Sequence, residues 1–202
     1  MSTFMAAAWL DLVPGADLDR VLRPLRERCE TSFAALARTP DGPRLELQAV
    51  GAGYEELAPL CAELVTDDGP ARRAFLALDH DEFGGEVVAL APGGRAYQFY
   101  IYPRDEETGE AYTDEGEPSL TGVPALTAPE PSGDPGAVLA GPAARERLAS
   151  LYGVPLARVE EAGRRAADSH ESLGSIGEPF EPWLDALAIE WSDEEATPLD
   201  GG

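Results

Sequence analysis

Lysine and asparagine are absent from all 202 positions, and the 15 basic residues are all arginine. Without lysine there is no phosphate-binding loop of the Gly-Lys type, and self-conjugation through lysine side chains is excluded. Both absences have a bland genomic cause. Lys and Asn have A-rich codons, which a GC-rich genome depletes while favouring the many Ala, Gly, Pro and Arg found here. The chain has only two Cys, too few for a disulfide framework, and a reducing cytoplasm is the default setting. Long hydrophobic runs are also missing. The apolar stretch from Thr3 to Val13 has no positive charge before it and contains Asp11, so it reads as a buried strand rather than a secretory signal or a membrane span.

What the chain has in excess is acid: 38 Asp and Glu give a formal net charge of -23. Residues 1–103 carry net -7, 104–136 net -8, 137–177 net 0 and 178–202 net -8. Two irregular segments therefore hold most of the excess, and charge blocks of this kind serve as solvated linkers, tails or interaction surfaces. Net charge bears on solubility and association with basic partners, and it does not decide a fold.

A hydrophobic fraction of 44% suits one sizeable domain with appendages. Phe4 to Val13 reads as a strand closed by Pro14-Gly15. Asp17 then caps a helix with Leu18, Val21, Leu22, Leu25 and Cys29 at helical spacing, in which Pro24 predicts a kink or an early end. Ser32 to Arg38 and Arg44 to Val50 form a hairpin around Pro40-Asp41-Gly42. A second helix runs from about Tyr54 to Val65. Ala74 to Asp79, Glu86 to Ala91 and Ala96 to Tyr102 are strands joined through Gly84-Gly85 and Gly93-Gly94. The order β-α-β-β-α-β-β-β predicts an α+β fold, a mainly antiparallel sheet with two helices on one face, for which a ferredoxin-like core is one arrangement. On that plan Cys29 and Cys61 face the sheet as small hydrophobes rather than as a redox pair.

Residues 104–136, with prolines at 118, 124, 129, 131 and 135, read as an acidic Pro/Gly-rich linker or excursion. Helices are predicted over Ala143 to Tyr152, Pro155 to Ala167 and Pro182 to Trp191. The strand carrying Tyr97, Phe99, Tyr100, Ile101 and Tyr102 is apolar on both faces, so the C-terminal helices are expected to cover the second face of the sheet. The organisation is thus an α+β core over 1–103, the excursion over 104–136, a helical segment packed on the core over 137–192, and an acidic tail over 193–202.

Motifs with chemical content are few. Ala149, Gly153 and Val159 have the spacing of a helix-turn-helix, but Glu160 and Glu161 would face phosphates, and any tight helical hairpin wants a similar arrangement. Asp79 to Glu86 begins like a calcium loop, yet Phe83 stands at a ligand position and Leu90 where a bidentate Glu belongs. Asp168-Ser169-His170-Glu171 lacks a third orienting group. Gly174-Ser175-Ile176-Gly177 lacks the first Gly of a nucleophile elbow. The terminal Gly201-Gly202 is shared with ubiquitin-like modifiers and sulfur carriers, but two residues are no fingerprint.

No catalytic set, metal or cofactor is expected. The sequence points to a cytoplasmic, non-catalytic acidic module that binds and neutralises a basic protein partner, such as a toxin or a nucleic-acid-binding protein, in the manner of an immunity protein or a nucleic-acid-mimicking inhibitor. It predicts no direct nucleic-acid or membrane binding. Asp105, Glu106, Glu107, Glu110, Asp114, Glu115 and Glu117 are the candidate partner-binding acids. The alternatives are a small regulator using the helical hairpin at 145–165, and an enzyme whose site is assembled from residues distant in sequence.

Overall fold

The computed structural model describes residues 4–29, 31–50, 54–105, 107–113, 120, 122–131, 133–173, 177–191 and 197–198. Its central strand, β1 (Met5–Leu12), is buried along its whole length. Because alternate side chains of a strand point to opposite faces, such a strand needs cover on both. The chain supplies it in order: α1 (Leu18–Arg28), β2 (Thr31–Thr39), β3 (Gly42–Val50), α2 (Tyr54–Leu64), β4 (Ala71–Asp79), β5 (Gly85–Ala91), β6 (Gly94–Ile101), α3 (Pro142–Tyr152), α4 (Leu156–Ala167), α5 (Glu181–Leu187) and β7 (Thr197–Pro198). The strands lie in the order β6-β5-β4-β1-β3-β2-β7, and every neighbouring pair is antiparallel.

One face of the sheet packs Ala8, Leu10, Leu47 and Leu76 against Val21 and Leu25 of α1 and Leu57, Leu60 and Cys61 of α2. The opposite face packs Trp9, Phe75, Val87 and Phe99 against Leu148, Val159, Trp183 and Leu187 of α3, α4 and α5. The result is three layers, helices on sheet on helices. Asp17 caps α1 by accepting the Asp19 amide at 3.0 Å. That helix continues through Pro24 to Arg28, so of the kink or early end expected at its proline, the early end does not occur. The carbonyl deprived of its bond is that of Arg20, an exposed residue, so the lost bond is not a buried one.

A second departure concerns α5, which stops at Leu187 instead of reaching Trp191. Ala188 adopts a left-handed conformation (φ 52°) and closes the helix, so Trp191 follows in irregular chain. Its ring meets Trp9 edge-on at 4.8 Å.

Open strand edges invite association; irregular chain meets the β6 edge of this sheet, and the short β7 meets β2. On β6, the Arg95 amide donates to the Pro124 carbonyl (2.7 Å), Gln98 and Leu139 exchange two backbone bonds (3.0 and 2.9 Å), and the Tyr100 amide donates to the Gly136 carbonyl (2.7 Å). The approach is close enough to require glycine. A Cβ at Gly94 would lie 2.1 Å from the Pro124 oxygen, and one at Gly136 would lie 2.0 Å from the Tyr100 oxygen. At the other edge, β7 pairs with Ala35 and Leu36 of β2.

Three charged residues are buried where the layers meet. Arg44 and Arg73 flank Asp11 at its own register position on β3 and β4. Arg44 holds the Asp11 carboxylate through Nε (2.6 Å) and Nη2 (3.2 Å), and Arg73 Nε binds the same carboxylate. Both arginines then reach into the helical layer. Arg73 donates to the Leu151 carbonyl and sits 4.3 Å over the Tyr152 ring, while Arg44 donates to the Ala188 carbonyl at 3.4 Å. Burial alone would raise the Asp11 carboxyl, but the bonds and charges of Arg44 and Arg73 outweigh it and hold the group below its ordinary value.

A carboxyl lowered in the folded state stabilises fully above its unfolded value near 3.8 and loses that contribution as pH falls through the folded value. Asp11→Asn leaves buried Arg44 without a counter-charge among the described residues and Arg73 with only the exposed Asp41 carboxylate, 3.1 Å from its Nη2, and should cost about 3 kcal/mol at neutral pH. Urea titrations should find that gap narrowing below about pH 4. A variant as stable as the parent at neutral pH would refute the clamp.

Candidate functional site

Just beyond β6 the chain folds back on itself. Arg104 and Ala111 form an antiparallel bridge, the Asp105 amide donates to the Glu110 carbonyl at 2.9 Å, and the Gly109 amide donates to the Asp105 carbonyl at 2.8 Å. The Asp105 side chain organises this turn from inside. Its carboxylate accepts the Glu107 and Thr108 amides at 3.0 and 2.7 Å and the Tyr112 hydroxyl at 2.6 Å, as Asp does where it replaces a backbone acceptor. The Tyr112 bond first, and the Thr108 bonds after it, hold the Asp105 carboxyl down at about 2.

The acids of this turn therefore differ in role. Asp105 spends its lone pairs on the turn, whereas Glu107 and Glu110 are exposed and Tyr112, whose hydroxyl meets the Asp105 carboxylate, is 44% exposed. Of the seven acids singled out by sequence, these three come together. Glu106, Asp114, Glu115 and Glu117 lie outside the described residues.

The other sequence motifs resolve into local structure. Gly153 closes α3 in the left-handed region (φ 65°) and Val159 is buried, as a helical hairpin requires. The arginines of α4 are held within the molecule: Arg158 donates to the Asp185 carbonyl at 2.8 Å, Arg165 lies 3.5 Å from the Asp185 carboxylate, and Arg164 pairs with Glu161. In the Asp79–Glu86 stretch, Asp81 adopts φ 59° and its amide donates to Asp79 Oδ1 at 2.9 Å. Among the described residues no group of three or more His, Cys, Asp or Glu side chains could hold a metal ion. Ser169 donates to the Arg165 carbonyl at 3.3 Å as a helix-end contact. Cys29 and Cys61 are buried without a disulfide, and burial raises both thiols above their ordinary value. Residues 174–176 and Gly201-Gly202 lie outside the described residues.

Sequence reasoning missed a cleft of about 570 Å³ between β6, the stretch 131–141 and the α3–α4 hairpin. Tyr97 and Phe99 form its floor, Arg145 and Gly163 its walls, and Asp134, Glu160, Arg164 and Asp168 its rim. The Tyr97 oxygen accepts a bond from Trp183 Nε1 at 3.3 Å, and burial first of all raises its phenol far above the ordinary value, so it remains a neutral donor. Arg145 Nε is buried with no hydrogen-bond acceptor among the described residues. The one clue legible beforehand was Gly163. Glycine inside a helix costs about 1 kcal/mol relative to alanine, and no clash demands it here, because a Cβ would meet only the Tyr97 oxygen, at 3.7 Å.

No protein-family model matches this chain, and neither a curated protein nor a solved structure is significantly similar to it. Function must therefore be read from the residues themselves.

His80 lies in the Asp79–Glu86 stretch, directly after β4. Burial pushes its imidazole down to about 4, and the ring meets Tyr100 at 5.5 Å. With the folded value below the unfolded 6.5, its contribution is complete above pH 6.5 and is lost as pH falls toward about 4. His80→Phe should flatten the stability curve across that window by about 3 kcal/mol, read from denaturation midpoints at several pH values. Parallel curves for variant and parent would contradict the burial of a neutral imidazole.

Proposed function

We propose that this chain is a non-catalytic, acidic protein-binding module that neutralises a basic protein partner, in the manner of an immunity protein or a nucleic-acid-mimicking inhibitor, and that it works in the cytoplasm. The observation that carries the reading is a turn already shaped by Asp105, which presents Glu107, Glu110 and the exposed Tyr112 ring together on a chain of net charge -23. Burial withdraws little of that charge from the surface. The buried charged residues among those described are four acids (Asp11, Glu46, Asp79 and Glu86) and two arginines (Arg44 and Arg73), which removes two units of the excess. Exposed Arg28 is itself paired with Glu56 and Glu63.

An acidic surface accelerates encounter with a cationic partner and repels nucleic acid. An exposed aromatic ring beside carboxylates suits lysine and arginine, which take up both the charge and the ring face. The strand order β4-β1-β3-β2, with α1 and α2 on one face, supports a ferredoxin-like plan for the first four strands, extended at the β4 edge by β5 and β6. The core over 1–103 would then be a scaffold from whose last strand the acidic turn emerges. The chain also has no described helix long and apolar enough to cross a membrane.

The test is kinetic. Immobilised protein should retain a basic protein from native lysate at about 0.15 M salt, and the association rate of that complex should fall steeply as salt rises. Glu107→Gln with Glu110→Gln should slow association severalfold and weaken its salt dependence while leaving the melting temperature nearly unchanged, since both side chains are exposed. An association rate indifferent to salt and to both substitutions would overturn the reading.

A further inference from the structure

The cleft between β6 and the α3–α4 hairpin plays no part in the acidic-surface reading, and two of its donors lack acceptors. The Tyr97 hydroxyl accepts from Trp183 at 3.3 Å, and its own proton finds no acceptor among the described residues. Arg145 Nε is likewise buried without an acceptor, and its guanidinium forms no ion pair among the described residues, unlike Arg164 and Arg165 on the neighbouring helix. Both groups line the same cavity, and the Arg145 charge acts on the Tyr97 hydroxyl. Buried donors without acceptors are costly in a finished core, and because both residues line this cleft they call for an oxygen acceptor brought from outside.

The planar fork of an arginine matches a carboxylate. The rim selects further. Asp134, Glu160 and Asp168 stand at the mouth with Arg164 as the only cation among the described rim residues, an arrangement that repels a second negative charge and attracts an ammonium group. Phe99, Ala137 and Ala140 add apolar lining, and the volume of about 570 Å³ falls among small-molecule sites. Gly163 keeps the space above the Tyr97 oxygen open, which packing does not require of it.

We propose that this cleft binds a small zwitterion of the amino-acid or dipeptide class, with its carboxylate on Arg145 and Tyr97, its ammonium at the Asp134, Glu160 and Asp168 rim, and an aliphatic side chain against Phe99. The proposal stands apart from the acidic turn.

Calorimetry and thermal shift with four probes test it: L-leucine, L-alanyl-L-leucine, 4-methylpentanoate (leucine without its ammonium) and 3-methylbutylamine (leucine without its carboxylate). At least one zwitterion should bind in the millimolar range or tighter, and about tenfold more tightly than either single-charge analogue. The comparison of L-leucine with the dipeptide identifies the source. Arg145→Gln should abolish binding and Arg145→Lys should weaken it. Gly163→Leu should block the cleft, and Gly163→Ala, which helix propensity favours, should raise the melting temperature while weakening binding. Three results would each overturn the proposal: no binding of either zwitterion at about 10 mM, equal affinity for 4-methylpentanoate, or unchanged affinity in folded Arg145→Gln and Gly163→Ala proteins.

Discussion

A sheet whose central strand is buried on both sides cannot be stable under one layer of helices, and much of the chain beyond β6 answers that constraint. Ala6, Ala8 and Leu10 of β1 require α1 and α2, and Ala7 and Trp9 require the C-terminal helices. Full burial of a large apolar side chain contributes about 1.5–3 kcal/mol, so Trp9, Trp183, Phe75 and Phe180, all nearly inaccessible to solvent, tie the second layer to the first strongly. The same constraint explains the length of chain between β6 and α3. Before α3 can begin beneath the sheet, the polypeptide must satisfy the β6 edge, and it does so with the carbonyls of Pro124, Gly136 and Leu139.

Charge within this framework is sorted by depth. Asp11, Arg44 and Arg73 are buried together at the seam between sheet and helices, where the arginines outweigh the desolvation of the carboxylate and give specific bonds to Leu151 and Ala188. Buried ion pairs are weak sources of stability compared with apolar packing. What this cluster supplies is register, because it fixes the C-terminal ends of α3 and α5 over particular residues of β3 and β4. The Arg95-Gln98-Glu86 series under the β5–β6 end of the sheet does similar work beside the excursion, with Arg95 Nε held by the Val123 carbonyl at 2.8 Å.

Legibility followed the range of the interactions. The strands and the first two helices could be read because periodicity and turn residues such as Pro40-Asp41-Gly42 act within a few positions. The early stop of α5 could not be, since Ala188 is held left-handed with its carbonyl on Arg44, 144 residues away. Proline-rich composition identified 104–136 as irregular, but edge pairing by irregular backbone leaves no periodic trace. In the acidic turn the charges were legible, while the inward role of Asp105 depends on which oxygen faces which amide. The cleft was hidden for a further reason: Tyr97, Arg145 and Asp134 meet only through the tertiary fold, and each looks ordinary alone.

A protein this acidic pays for its surface through self-repulsion, which weakens any compact state. The fold tolerates it because its cohesion does not depend on surface pairs, which contribute little in water. The sheet and its two helical layers are held by apolar contact, with the buried Asp11 carboxylate paired to Arg44 and Arg73. Exposed carboxylates such as Glu107 and Glu110 can thus be changed without disturbing the core. The apparent contradiction between a net charge of -23 and an extensively buried sheet resolves into a division between depth, which sets the fold, and surface, which carries the charge.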